Sequence, residues 1–545
     1  MHSLRHARLA FKLLPVSLRS TYLSSTRWQL PRRAFSSISD SPDDLFNYTS
    51  GHWLVNNNLR LAERKPLSTS QDIDTFVKLA EGGFNRTFLI TMLDGFSMVA
   101  RIPYPIVPKL YAIASEVATM RFLRSSGFPV PEVYNYSLLS DNAANTEYIF
   151  MEYMSGTKSE SDIVSVLHQL VQFESRMMSI PFPAGGSLYY TDDLVKIGKT
   201  GIPLNDKRFS VGPDARVHMW FGRRSQLDVD RGPYTSADAA LVAAACKELA
   251  YLEKFGQPLL PFRRERRETY EYQKQLPSDH VKNLERYLPI APSLIPEDST
   301  LHRFCIRHPD LQPSNIIVSR SSDSQLKVVG LLDWQHASIL PPFLLAGVPG
   351  HFQNYDDPVS QVGIPPSLPE NVNELDEPKR SHEMELYFNR LVHFHYVHNT
   401  QKHNKLHYDA FSDSVSMLVC RLFGQAGTPW EGETNDLKNS LIEATEIWGT
   451  LEGEGVPCPV VFETEDIRET EELSERLQTA DEIFEGCGKM IGFLTETWVP
   501  NEDYEKAMNA AELLKQRVVS AVPEEVRAVT EANWFLDDMD EKDYS

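Results

Sequence analysis

The feature that most constrains this chain of 545 residues is a short polar string, His308-Pro309-Asp310-Leu311-Gln312-Pro313-Ser314-Asn315, trailed by apolar residues that end in Leu331-Leu332-Asp333-Trp334. An Asp, an amide five positions later and a second Asp behind a hydrophobic strand put a base and two oxygen ligands around one anionic group. Asp310 is the candidate base, since accepting or orienting a hydroxyl proton requires a carboxylate on the floor of a cleft. His308, two residues ahead of it, is a second candidate for the catalytic set, and a structural role suits it better than a chemical one. Asn315 offers a neutral oxygen and Asp333 a charged one, the donors that a hard cation such as Mg2+ prefers. Residues 316–318 and 326–332 read as β-branched strands around the polar Arg320-Ser321-Ser322-Asp323-Ser324, so a hairpin is expected to carry Asp333 back toward Asn315. A lone His-Asp pair would fit a metal site or a buried structural pair equally well. The hairpin with an Asp at its exit tips the pattern toward phosphoryl transfer.

Such a site needs a nucleotide-binding lobe ahead of it. Residues 74–80 read as a strand, Glu81-Gly82-Gly83-Phe84-Asn85-Arg86 as a tight turn, and 87–91 as the returning strand. Gly82 and Gly83 are expected to let the backbone approach phosphate oxygens and to take positive φ. A third strand over 97–103 carries Arg101, and a helix over 109–124 contains Glu116. The run Tyr148-Ile149-Phe150-Met151-Glu152-Tyr153-Met154 follows.

Taken together, the turn Gly82, Gly83, Asn85, the strand cation Arg101, the helix acid Glu116, His308-x-Asp310 with Asn315, and Asp333-Trp334 resemble the aminoglycoside phosphotransferase (phosphotransferase enzyme) family of kinase-like folds, over roughly residues 75–345. The resemblance implies an α+β, bilobal protein-kinase-like fold with a small β-rich N-lobe and a large helical C-lobe. It implies ATP and Mg2+ as cofactors. Gly82, Gly83, Asn85, Arg101 and Glu116 would serve the phosphates, and the backbone of Glu152 and Met154, in the hinge between lobes, would pair with adenine. Asn315 and Asp333 would bind the metal, and Asp310 would act in transfer of the γ-phosphate to a small-molecule hydroxyl. The family's Lys is replaced here by Arg101, a planar fork of donors suited to a bidentate pair with Glu116. Two other readings stay open: a nucleotide-binding scaffold that acts in mitochondrial maintenance without catalysis, and transfer of AMP with the nucleotide reversed.

Residues 1–39 hold seven basic residues and no acid before Asp40. On a helix, Leu4, Ala7, Phe11, Leu14 and Leu18 line one stripe and Arg5, Arg8, Lys12 and Arg19 another, which describes a mitochondrial presequence. Arg33-Ala34-Phe35-Ser36 resembles a matrix-peptidase processing context, so the import and processing machinery are expected partners. With Val211-Gly212-Pro213 and 228–234, the chain resembles fungal altered-inheritance-of-mitochondria phosphotransferase-like proteins, which implies a mitochondrial location, the matrix within it.

Of the 54 Lys and Arg, seven lie in this leader, leaving 47 against 75 Asp and Glu. So acidic a remainder repels nucleic acid and anionic lipid, and no nucleic-acid partner is expected. The five cysteines are scattered without C-x-x-C spacing, as in a reducing compartment. No apolar run approaches the roughly 20 residues of a membrane-spanning helix.

The expected organisation is a presequence (1–39), an N-terminal extension (40–74) with a short helix around Trp53, Leu54, Leu59 and Leu61 packed on the small lobe, the N-lobe and hinge (75–154), the C-lobe (155–400), and a C-terminal helical region (401–545) ending in a solvated acidic tail at 537–543. Residues 183–235 read as a long insertion of loops, with Trp220, Phe221, Arg223 and Arg224 as candidates for a substrate pocket. Apolar periodicity predicts helices over 159–182, 233–256, 270–287, 381–399, 409–423, 435–451, 466–493 and 502–519.

Overall fold

Apolar side chains at every second position of Asn85–Thr91 and Ser97–Pro103 bury one face of a sheet, and the rest of the small lobe grows around it. The computed structural model describes residues 48, 50–64, 75–104, 109–142, 144–156, 163–320, 326–412, 415–493 and 497–544. The presequence expected over 1–39 and residues 321–325 of the catalytic hairpin lie outside them.

Among the described residues the first elements are strand β1 (Gly51–Trp53) and helix α1 (Asn57–Glu63). Strands β2 (Thr75–Glu81), β3 (Asn85–Thr91), β4 (Ser97–Pro103), β5 (Val133–Ser137) and β6 (Tyr148–Glu152) form an antiparallel sheet in the order β2-β3-β4-β6-β5. Between β4 and β5 runs helix α2 (Lys109–Ser125), on which every residue from Ala112 to Met120 is buried. A helix buried on all sides is covered by more than one layer, here the sheet and an element of the large lobe.

The large lobe starts with α3 (Ile163–Ser179). The 183–235 insertion is more ordered than a run of loops. It contains β7 (Ser187–Tyr190), α4 (Thr191–Lys196), β8 (Ile202–Pro203) and β9 (Phe209–Gly212), with the three strands in the order β7-β9-β8. Strands of two to four residues between Gly, Pro and Asp are too short to show a period. α5 (Ala237–Phe255) begins at Ser236, whose hydroxyl accepts from the Ala239 N–H, and α6 (Pro277–Ile290) begins at Pro277. The helix expected from Tyr270 therefore starts later, because proline sets a helix's first turn and Glu271 and Tyr272 take positive φ.

The hairpin of β11 (Ile316–Arg320) and β12 (Leu326–Leu331) is antiparallel, with β10 (Cys305–Ile306) and β13 (Ile339–Leu340) paired beside it. A continuous apolar core runs from Val117 and Leu123 on α2 through Leu170, Leu241, Leu284 and Ile306 to Leu331 and Phe343. Beyond it lie α7 (Pro342–Leu345), α8 (Pro358–Gln361), α9 (Glu377–His403), α10 (Lys405–Ser412), α11 (Ser416–Gly427), α12 (Asn435–Glu446), α13 (Trp448–Glu452), α14 (Thr464–Ile491), strand β14 (Trp498–Pro500), α15 (Asn501–Ala521) and α16 (Glu524–Ala532). The division drawn at residue 400 falls inside α9, which runs unbroken to Asn404.

The two ends of the described chain meet. β1 pairs with β14, and Leu54 sits in a core shared with Ile491, Val499 and Leu514. The extension is thus held chiefly by the C-terminal region, and it reaches the small lobe through Ser50 on Glu81 and the Arg86 guanidinium on the Arg64 carbonyl. The acidic tail is docked, not solvated. Both Glu541 carboxylate oxygens accept from Arg60 Nη2, Asp537 pairs with Lys515, the carbonyls of Asp537 and Asp538 accept from Arg264, and Tyr544 is buried with its hydroxyl on the Leu260 carbonyl.

Candidate functional site

The catalytic loop lies between β10 and β11, and His308 sets its shape. The ring is buried against Trp334, with centroids 4.4 Å apart. Nδ1 accepts the Asp310 N–H at 3.1 Å, which leaves Nε2 as the donor to the Leu332 carbonyl at 2.8 Å. Both nitrogens are therefore occupied, and burial pushes the imidazole down to about 4. Of the two roles open to it, chemical or structural, this geometry is the structural one: His308 ties the backbone of Asp310 to the residue before Asp333. Asp310 itself is exposed, and its Oδ2 accepts from the amides of Gln312 and, at 3.2 Å, Asn315. The Asn315 amide nitrogen also donates to the Asp310 carbonyl at 2.9 Å, and the Leu332 N–H donates to the Asn315 carbonyl at 2.8 Å. The loop and the hairpin exit are thereby one hydrogen-bonded unit.

Because a folded-state value of about 4 lies below the ordinary 6.5, His308 contributes stability that is complete above 6.5 and is lost as pH falls toward 4. The loss is about 1.4 kcal/mol for each pH unit in that window. Unfolding free energies measured from pH 7 to pH 4.5 are expected to fall more steeply in the wild type than in His308→Gln, which has no proton to gain; parallel curves would contradict the assignment.

Asp333 takes a left-handed φ of +64° at the exit of the hairpin, a conformation Asp tolerates better than most side chains. Its carboxylate is 43% exposed, and Oδ1 accepts from Arg101 Nη2 at 2.5 Å. Its second oxygen has no hydrogen bond among the described residues. Arg101 is buried and donates through Nη1 to Glu116, and through Nη2 also to Gln335 at 3.2 Å. Burial works against its charge, but Asp333 and then Glu116 outweigh burial and raise its pKa. For Glu116 burial is the larger influence, and its carboxyl is pushed up to about 7 although Arg101 opposes the shift. For Asp333 the guanidinium outweighs burial, and the carboxyl is lowered. The Asn85 amide lies 2.6 Å from Gln335 Oε1, and the ring of Phe84, at the tip of the turn, meets His336 edge-on at 5.4 Å.

The structure thus brings together Asn85, Arg101, Glu116 and Asp333, and separately Asp310 and Asn315, with Leu332 joining the two groups. Asn315 and Asp333 carry the donors that a divalent cation prefers: the Asn315 amide nitrogen is tied back onto Asp310, so Oδ1, 3.5 Å from the Ser314 hydroxyl, is the atom that could coordinate, and one Asp333 oxygen has no hydrogen bond among the described residues. Gly82 and Gly83 are exposed, and a Cβ at Gly83 would meet nothing within 4 Å. Neither takes positive φ, contrary to expectation, because the Gly82 N–H closes the turn onto the Asn85 carbonyl without a left-handed residue. The turn is open to a ligand through lack of side chains alone.

At the hinge, the Glu152 carboxylate accepts from Arg124 at 2.8 Å and from the Glu132 N–H at 3.1 Å, and its backbone N–H donates to the Glu132 carbonyl at 2.8 Å, so of its backbone groups the carbonyl is the one that could meet a ligand. Met154 lies on the hairpin. A Cβ at Gly330 would stand 2.8 Å from Met154 Sδ, so glycine there is what lets the two segments touch. Sequence reasoning missed Gln312 and Gln335, which have no spacing signal, and misassigned the aromatic cluster of the insertion. Trp220 is buried with its indole N–H on the Asp214 carbonyl, and Arg224 is fully buried on Glu248. Both are held in packing, while Phe221 is half-buried and Arg223 exposed.

A catalytic loop, a strand cation braced by a helix acid and a carboxylate at a hairpin exit are the parts of a kinase-like phosphotransferase site. Residues 75–344 match the phosphotransferase enzyme family, and this part of the chain is a domain of that family with its α+β, two-lobed kinase-like fold. Similar proteins include a subtelomeric hrmA-associated cluster protein of Aspergillus fumigatus, 28% identical over 508 residues that span 85% of this chain and 97% of that one. The altered inheritance of mitochondria protein 9, mitochondrial, of Yarrowia lipolytica is 27% identical over 59% of this chain and 63% of its own, and that of Saccharomyces cerevisiae S288c 24% identical over 82% and 75%. Among solved structures, a Plasmodium vivax ethanolamine kinase aligns with a TM-score of 0.34 at 12% identity, covering 75% of this chain and 83% of its own.

Proposed function

We propose that this protein transfers the γ-phosphate of Mg-ATP to the hydroxyl of a small molecule. The observation that carries this reading is that the hydrogen bond from Leu332 to Asn315 couples the loop bearing Asp310 to Asp333, so base and metal ligands are held as one unit. Asp310 would accept the acceptor's proton, exposed to the cleft and oriented by two amides. Asn315 and Asp333 would hold Mg2+, which supplies neutralisation of the phosphate charge when bound. Arg101 would hold phosphate oxygens, and the backbone of Glu152 and Met154 the adenine. The test is mass spectrometry of products after incubation of the purified protein with ATP and a mitochondrial metabolite extract. A phosphorylated metabolite formed by the wild type and not by Asp310→Asn is the expected result, and no product in either would count against transfer.

Metal dependence gives a second test. Asp333→Ala is expected to weaken Mg-ATP binding by 10-fold or more and Asn315→Ala by less, because the charged ligand contributes more to a hard cation. Calorimetric titrations with and without Mg2+ measure both, and equal affinities in wild type and Asp333→Ala would remove Asp333 from the site.

A second reading, a nucleotide-binding scaffold without turnover, is favoured by one observation: both terminal nitrogens of Arg101 are already engaged by Glu116, Asp333 and Gln335. Location follows the relatives named as mitochondrial. The leader is expected to be cleaved between about Arg33 and Asp40, and N-terminal sequencing of the protein from purified mitochondria reads the site directly; an intact Met1 would refute cleavage.

A further inference from the structure

Helix α2 carries Glu116, and in kinase-like sites the place of this helix decides whether the strand cation is braced. Here the 183–235 insertion covers it. The helix packs against β7, and Ala114 shares an apolar cluster with Tyr189 and Leu194 of the insertion. Five residues ahead of Glu116, Tyr111 stacks on Trp220 with ring centroids 4.2 Å apart and planes inclined by 24°. Trp220 is held in turn by its indole N–H on the Asp214 carbonyl at 2.7 Å and by the Arg231 guanidinium 4.2 Å from its ring. A polar tie runs alongside, the Tyr136 hydroxyl of β5 donating to Asp193 Oδ2 at 2.7 Å. The same insertion is bonded to the residues that follow Asp333: Ser338 donates to Asp214 at 3.0 Å, Ser187 to the Ala337 carbonyl at 2.8 Å, and His336 Nδ1 lies 2.8 Å from the Ala215 carbonyl. It therefore grips both the helix that bears Glu116 and the segment that bears Asp333, the two acids that share Arg101.

We propose that the insertion is a built-in brace, that Tyr111 and Trp220 are positioning residues for the Arg101–Glu116 pair, and that the phosphate side of the site is assembled before nucleotide arrives. This rests on the nucleotide-binding reading above only for its functional consequence; the brace itself is independent of any ligand. It also assigns the insertion a structural task at the site, in place of an acceptor pocket.

Tyr111→Ala is the informative change, since alanine has the higher intrinsic helix propensity and any loosening of α2 comes from the lost stack. Backbone hydrogen exchange of the nucleotide-free protein is expected to speed up about 10-fold or more over 109–125 in Tyr111→Ala, with 277–290 and 316–331 unchanged, while Mg-ATP affinity falls several-fold. Tyr111→Phe, which keeps the ring, restores both readouts. Tyr136→Phe removes one hydrogen bond without a cavity and produces a smaller change of the same kind, so the question is decided even if Tyr111→Ala folds poorly. Unchanged exchange over 109–125 in Tyr111→Ala and Tyr136→Phe overturns the brace. Faster exchange with unaltered nucleotide affinity overturns the positioning role. If the wild type binds no nucleotide, the proposed function fails while the exchange data still decide the brace.

Discussion

Exchange of Asp310 for Asn is expected to slow phosphate transfer by about 10²- to 10⁴-fold and to leave Mg-ATP affinity nearly unchanged, since a positioned base contributes that much and touches only the acceptor. The change is isosteric, and an Asn oxygen still accepts from Gln312 and Asn315, so the loop keeps its shape. Initial rates on the acceptor found by product analysis, set beside calorimetric ATP titrations, measure the two effects separately. A cell carrying only Asp310→Asn protein at normal level then separates the two functional readings. Loss of function identifies catalysis as the role, whereas full complementation identifies the scaffold.

The second large effect is on stability. Arg101→Ala is expected to cost about 3–5 kcal/mol, because it strands the buried carboxylate of Glu116 and frees Asp333 to solvent. The loss depends on pH in a definite direction. Glu116 has a folded-state value of about 7, above the ordinary range, so its neutral form is favoured in the fold and its contribution is complete at low pH and lost as pH rises through that value. Without Arg101 the carboxyl moves further up, so the deficit of Arg101→Ala measured by denaturant unfolding is expected to be larger at pH 8 than at pH 5. The double variant Arg101→Met with Glu116→Leu recovers most of the loss, since a buried ion pair replaced by apolar groups is often close to neutral. A deficit under 1 kcal/mol, or one that grows on acidification, would contradict this account of the pair.

What the sequence made legible follows the range of the interactions. The loop from His308 to Asn315 and its hairpin were readable because their order is local: a proline-stiffened turn, two β-branched strands, and an Asp at the exit. Glu116 was readable from one helix after one strand. Gln335 was not, since its value lies in meeting Asn85 at a separation of 250 residues. The contacts of His308 are hidden in the sequence for a related reason, as its partner carbonyl at Leu332 becomes a neighbour only once the hairpin has folded back. The tail at 537–543 looked solvated because its cations, Arg60 and Arg264, are distant in sequence. In the insertion, buried Arg224 and Trp220 lie in a stretch whose composition reads as loop, and their partners, Glu248 for the one and Tyr111 for the other, are distant in sequence.

The pairing of β1 with β14 also bears on how the chain is made. The Asn56 N–H meets the Asp538 carboxylate across 482 residues of sequence, so this clasp cannot form until residue 538 has been synthesised. Until β14 has been made, the strand at Gly51–Trp53 is an open edge, with Trp53 and Leu54 lacking the partners that bury them. A chain that has not yet reached β14 therefore displays around Gly51–Trp53 the kind of surface that pairs with other chains or engages chaperones, and the C-terminal elements conceal it.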